Sequence, residues 1–163
     1  MRIKNSILIL SLVSLVIAGA WFWQTQTMLT APNVTFKTIK GDSIDLIDLK
    51  GRPVLVTFWA TDCPGCIEEI PHLIKLHQQF SPEGLTIVAV AMDYDPPNQV
   101  LAMSTAKQLP YAVALDPSGS LAQRFGDVKL TPTSFVIDRN GLIVMQKIGV
   151  FDLADMQKRL ADL

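Results

Sequence analysis

The sequence predicts an α/β layered fold with a mixed central sheet, carried behind one amino-terminal apolar segment. Three observations predict it. Short β-branched runs alternate with segments whose apolar residues recur at helical spacing, the pattern of strands and helices packed in layers. The last third holds two strands joined by Asp138-Arg139-Asn140-Gly141, so antiparallel pairing accompanies parallel pairing. Both cysteines of the chain, Cys63 and Cys66, sit where an apolar strand passes into a helical pattern.

The chain has 163 residues, enough for one domain and a short appendage. Its formal net charge of -1 offers no basic field for nucleic acid and no acidic tail for a basic partner. With two cysteines in total, none is left for a structural disulfide or for the other half of a Cys₄ zinc site.

Three segments divide the chain. Residues 1–23 read as a signal anchor: Arg2 and Lys4 precede an uncharged run from Ile7 to Trp23, at the short end of the roughly 17–25 residues that span a bilayer. Trp21, Phe22 and Trp23 resemble an interfacial aromatic belt. The positive residues keep the amino terminus in the cytoplasm, making a single-pass protein of the inner (cytoplasmic) membrane with its domain on the periplasmic, extracytoplasmic side. Cleavage after Ala18-Gly19-Ala20, as in a signal peptide, is the competing reading and also exports the domain. Residues 24–33 form a polar tether, and 34–163 the folded domain.

Within the domain, Val34–Ile39 and Ile44–Leu46 form an initial hairpin around Gly41-Asp42. Val54–Trp59 is a buried strand. The helix after the cysteines runs to about Phe80, with Ile70, Leu73, Ile74, Leu76 and Phe80 on its apolar side, and Pro71 inside it predicts a kink. Leu85–Met92 is a second central strand, followed by a Pro-containing loop (Asp93–Asn98), a helix over Val100–Leu109 and a short strand over Ala112–Leu115. A helix over Leu121–Phe125 precedes the strands Ser134–Ile137 and Leu142–Ile148. Their Asn140-Gly141 link predicts a hairpin in which both residues tolerate positive φ. Leu153–Leu163 closes the chain as a helix.

Cys-x-x-Cys alone reads as a redox dithiol or as a metal-binding pair; the strand-to-helix setting favours the dithiol. The stretch resembles the thioredoxin superfamily, and within it the TlpA/ResA-like membrane-anchored thiol-disulfide oxidoreductases. Phe58-Trp59-Ala60 leading to Cys63-Pro64-Gly65-Cys66, Glu69 with Pro71 after it, Thr131-Pro132-Thr133 before a strand, and the Asp138–Gly141 turn carry the resemblance. It implies a thioredoxin fold with an inserted βα element around Val88 to Leu115. Two positions depart from the pattern. Residue 62 is Asp where relatives commonly have Trp, and Thr57 stands where thioredoxin has a buried Asp.

The resemblance implies roles for six residues. Cys63, at the mouth of the helix, is the attacking thiol, because free N–H groups and the macrodipole there favour a thiolate. Cys66, one turn on and deeper, resolves the mixed disulfide. Glu69, three residues further along the same face, assists proton transfer. Thr131 and Pro132 form the substrate-facing loop, with Pro132 in cis and the Thr131 backbone pairing with an extended client. Trp59 packs next to the site on the substrate side. Asp62 is expected to disfavour the Cys63 thiolate and move the pair toward the reducing end.

The expected function is reduction of disulfides in client proteins, in cytochrome c maturation or copper-site assembly. Recharging falls to a membrane electron donor. No cofactor or metal is called for, the partners are protein thiols and disulfides, and the domain is read as a monomer. Two other readings are a Cu(I) metallochaperone holding the ion between the two thiolates and a thiol peroxidase forming a sulfenate on Cys63. His72 and His77, five apart on the helix, are read as surface or core-edge residues. Asp93 and Asp95 are read as loop and turn residues near the insert.

Overall fold

Residues 29–163 are described by a computed structural model. The anchor expected over 1–23 and the first part of the tether lie outside the described residues. Among those described, no helix is long and apolar enough to cross a membrane. Ala31–Leu163 forms one compact unit.

Its strands are β1 (Thr35–Thr38), β2 (Ser43–Asp45), β3 (Val54–Trp59), β4 (Thr86–Ala91), β5 (Ala112–Leu115), β6 (Thr133–Ile137) and β7 (Ile143–Ile148). The helices are α1 (Pro64–Phe80), α2 (Pro97–Ala106), α3 (Ser120–Arg124) and α4 (Leu153–Ala161). The seven strands make one sheet in the order β2-β1-β5-β4-β3-β6-β7. β3, β4 and β5 run parallel, and both flanks are antiparallel. The mixed sheet is the one expected. β5 lies between β4 and the amino-terminal hairpin, so α2 and β5 together widen the sheet.

β3 is paired on both edges and covered on both faces, which is why all six of its residues are buried. The two-residue period of a strand then sorts its side chains. Val54, Val56 and Phe58 join Phe125 and Phe135 on the face covered by α3, where Phe58 meets Phe125 edge-on at 5.4 Å. Leu55 and Trp59 join Leu73, Leu76, Met156 and Leu160 on the face covered by α1 and α4. Thr57 falls on that second face, beneath α1.

Three local readings are corrected. α2 begins at Pro97 rather than Val100, because proline suits the first helical position. It ends at Ala106 rather than Leu109 through a Schellman closure: Leu109 N–H reaches Ser104 O and Gln108 N–H reaches Thr105 O. Gln108 takes the left-handed position (φ +51°) where glycine would have signalled the stop. In the β6–β7 turn only Gly141 has positive φ. Asn140 does not need it, because the Asp138 carboxylate accepts from Asn140 N–H at 2.9 Å and Leu142 N–H at 2.8 Å. α1 runs through Pro71 to Phe80 as expected, with Pro71 on its exposed side.

Candidate active site

The site forms where β3 ends and α1 begins. Cys63 is the N-cap of α1, with extended backbone, and its Sγ accepts from Cys66 N–H at 3.2 Å. Pro64 occupies the first helical position, where its missing N–H leaves nothing unpaired. Cys63 and Cys66 are joined as a disulfide with Cα atoms 5.2 Å apart. Cys63 is half-buried and Cys66 is buried, the order of depth expected of an attacking and a resolving thiol.

Cys66, Glu69, Ile70, Leu73, Leu76 and Phe80 form the buried stripe of α1. Glu69 is the one carboxylate in it, 1% exposed. Its two oxygens have separate partners. Phe151 N–H donates to Oε1 at 3.2 Å, and the Thr57 hydroxyl stands 3.5 Å from Oε2. Thr57 in turn accepts from Ser134 Oγ at 2.9 Å, directly across the β3–β6 ladder. Each hydroxyl has one proton, so this chain points from Ser134 through Thr57 to the carboxylate. Burial raises the Glu69 carboxyl from 4.5 to about 7, and the bonds from Phe151 and Thr57 oppose that rise without cancelling it. The nearby Tyr111 phenol is pushed up, first by its own burial and then by the Glu69 charge.

The Thr131–Pro132 peptide is cis. Pro132 lies against the Cys-Pro-Gly-Cys turn: a Cβ placed on Gly65 would stand 3.4 Å from Pro132 Cδ and 3.1 Å from Val150 Cγ2. Trp59 is buried within the core that holds Cys66, and Met92 N–H donates to its carbonyl at 3.0 Å. The ring is a packing group behind the cysteines, and its Nε1 has no protein partner. Asp62 is exposed beside Cys63. His72 and His77 are half-buried, 6.0 Å from Phe151 and 6.4 Å from Tyr111 by ring centroids.

Two groups of residues at the site went unread in the sequence. Gly149, Val150 and Phe151 bind it together: Gly149 N–H donates to Pro132 O at 2.8 Å, Val150 covers Gly65, and Phe151 holds Glu69. The glycine of Gly149-Val150-Phe151, adopting positive φ, was the available signal. Asp95, read as a turn residue, is 5% exposed and accepts from Thr61 N–H at 2.7 Å and Thr61 Oγ at 2.6 Å. It thereby ties the β4–α2 loop to the residues preceding Cys63. Nothing in the local pattern around Asp95 distinguishes it from the exposed Asp93.

Residues 27–160 match the redoxin family. The chain is 30% identical over 159 residues to the thiol-disulfide oxidoreductase ResA of Bacillus thuringiensis subsp. konkukian, covering 90% of each chain. The fold is similar to a thiol:disulfide interchange protein of the thioredoxin family from Chlorobium tepidum, with TM-score 0.75 and 28% identity over 82% of this chain and 94% of that one. It is also similar to StoA from Bacillus subtilis, with TM-score 0.66 and 26% identity over 78% and 97%.

A carboxyl whose folded-state value lies above its unfolded value holds its proton more tightly in the fold. Its contribution to stability is therefore full below about pH 4.5 and is lost as the pH rises to about 7. At about 1.4 kcal/mol per unit, the loss amounts to about 3 kcal/mol. Glu69→Gln keeps an acceptor for Phe151 N–H and removes the titration. The unfolding free energy of the variant relative to wild type should climb by that amount across this window, read from urea unfolding at a series of pH values. Parallel curves for the two proteins would exclude a raised Glu69.

Proposed function

Because the chain belongs to the redoxin family and is a thiol-disulfide oxidoreductase, we propose that it reduces disulfides of client proteins outside the cytoplasm, tethered to the membrane through residues 7–23. The observation that carries the chemistry is the placement of Cys63 at the α1 N-cap with the buried Glu69 carboxyl below Cys66 on the same stripe.

In this reading the Cys63 thiolate attacks one sulfur of the client disulfide. A bond forms between Cys63 Sγ and that sulfur, and the other client sulfur leaves as a thiolate that takes up a proton. Cys66 then gives its proton to the Glu69 carboxylate and attacks Cys63 Sγ. The mixed disulfide breaks, the second client thiolate leaves, and the Cys63–Cys66 disulfide remains. Two electrons have passed to the client. A group titrating near 7 can accept that proton and return it when a membrane electron donor reduces the pair again. Thr131 and Pro132 hold the client segment against the cysteines, and Trp59 supports the site from the core. Clients in cytochrome c maturation or copper-site assembly fit this chemistry. The domain works as a monomer and needs no cofactor.

The reducing direction follows from charge. Asp62 and the absence of a cation between the cysteines disfavour the Cys63 thiolate, whereas strong oxidants stabilise it. In redox buffers the Cys63–Cys66 pair should equilibrate close to about −270 mV, and a value near about −120 mV would contradict the reducing assignment. Cys66→Ala removes the resolving thiol, so covalent client adducts on Cys63 should accumulate in the native envelope and dissolve with added dithiol. Recovery of Cys63 free of any protein adduct would count against client exchange.

A further inference from the structure

Two of the exposed large apolar side chains flank Thr131. Leu130, 62% exposed, immediately precedes it, and Tyr94, 56% exposed, reaches it from the β4–α2 loop with its phenol oxygen 3.5 Å from Thr131 Oγ1. The two differ in how they are held. Leu130 belongs to the client-facing loop itself, whose shape is fixed by Thr133 Oγ1 donating to Leu130 O at 2.7 Å. Tyr94 stands at the tip of a tight turn closed by Asp95 N–H on Met92 O at 3.0 Å. Both ends of that turn are fastened to the residues before the cysteines. Met92 N–H is bonded to Trp59 O, and the buried Asp95 carboxylate takes both the N–H and the hydroxyl of Thr61, two residues before Cys63. The tyrosine ring is therefore presented to solvent from a fixed backbone, between the residues that precede Cys63 and Thr131.

An aromatic ring in that position contributes nothing to the core. Its apolar face is available to a segment lying along Thr131, and a ring on a pre-positioned backbone loses little freedom when it is covered. We infer that Tyr94 is a specificity-determining residue of the exchange reaction: its ring packs on the client segment and favours clients with an apolar side chain next to the reacting cysteine. Asp95 is the positioning residue that keeps the ring there. The inference rests on Thr131–Pro132 being the client-facing loop.

The test uses the reduced full chain and three disulfides. Two are peptides with one internal disulfide, bearing leucine or serine beside each cysteine; the third is hydroxyethyl disulfide. The readout is the second-order rate of Cys63–Cys66 oxidation, expressed as the ratio of peptide to small disulfide. Tyr94→Ala should lower the leucine-peptide ratio about tenfold, equivalent to about 1.4 kcal/mol, with little effect on the serine-peptide ratio. Tyr94→Phe should restore the wild-type ratio. An unchanged leucine-peptide ratio in Tyr94→Ala, or equal losses on both peptides, overturns the inference. Hydrogen exchange at the Thr131 amide in the Cys66→Ala adduct with the leucine peptide separates the two levels. Protection there with no Tyr94 effect defeats the inference alone. Absence of protection defeats the reading of the loop and the inference with it.

Discussion

The buried stripe of α1 carries one carboxyl group among Cys66, Ile70, Leu73, Leu76 and Phe80, and the surrounding structure is arranged around keeping it there. An ionised carboxylate without partners in such surroundings would be costly to bury. Glu69 escapes that penalty in two ways: its oxygens meet the Phe151 amide and the Thr57 hydroxyl, and its proton affinity rises until the neutral form is accessible near neutral pH. Neither partner is local. Phe151 arrives from the segment after β7, and Thr57 faces α1 because β3 is buried on both faces and alternates its side chains. Thr57 in turn depends on Ser134 across the ladder, so the register of β3 against β6 reaches the carboxyl through two hydroxyl groups.

The same convergence builds the outer part of the site. Gly149 bonds to Pro132, Val150 closes over Gly65, and Asp95 fastens the β4–α2 loop to Thr61. Three loops from distant parts of the chain are thereby registered on one helix end. The helix end directs the Cys66 N–H at the Cys63 sulfur, while Cys66 is buried a turn further along on the stripe that carries Glu69. In the proposed exchange, attack on the client at the half-buried Cys63 and proton transfer at the buried Cys66 are separated by one helical turn. Glu69, the one carboxylate of the buried stripe, lies three residues beyond Cys66 on α1.

The sequence is informative where a short-range rule governs. A β-branched run entering Cys-Pro-Gly-Cys names the strand, the helix start and the depth order of the two sulfurs, and the i, i+3 relation of Cys66 and Glu69 puts the carboxyl on the buried side. Thr131-Pro132 before a strand likewise identifies the second loop. What escaped depends on contacts far apart in the chain. The burial of Asp95 is decided by Thr61, thirty-four residues away; the placement of Thr57 opposite Ser134 is decided by strand register; and Phe151 meets Glu69 across 82 residues. The misplaced end of α2 has a different origin: a glutamine adopts the left-handed position, where only glycine or asparagine would have marked the stop.

Glu69 is a single buried carboxyl, on the same stripe of α1 as Cys66, whose charge changes near neutral pH. The most direct test of that charge change is a titration of the Glu69 side-chain carboxyl carbon by NMR in the disulfide-bonded protein. The signal is assigned by its loss in a Glu69→Asp variant. The expected midpoint is about 7, whereas a midpoint at the ordinary 4.5 would contradict a raised Glu69.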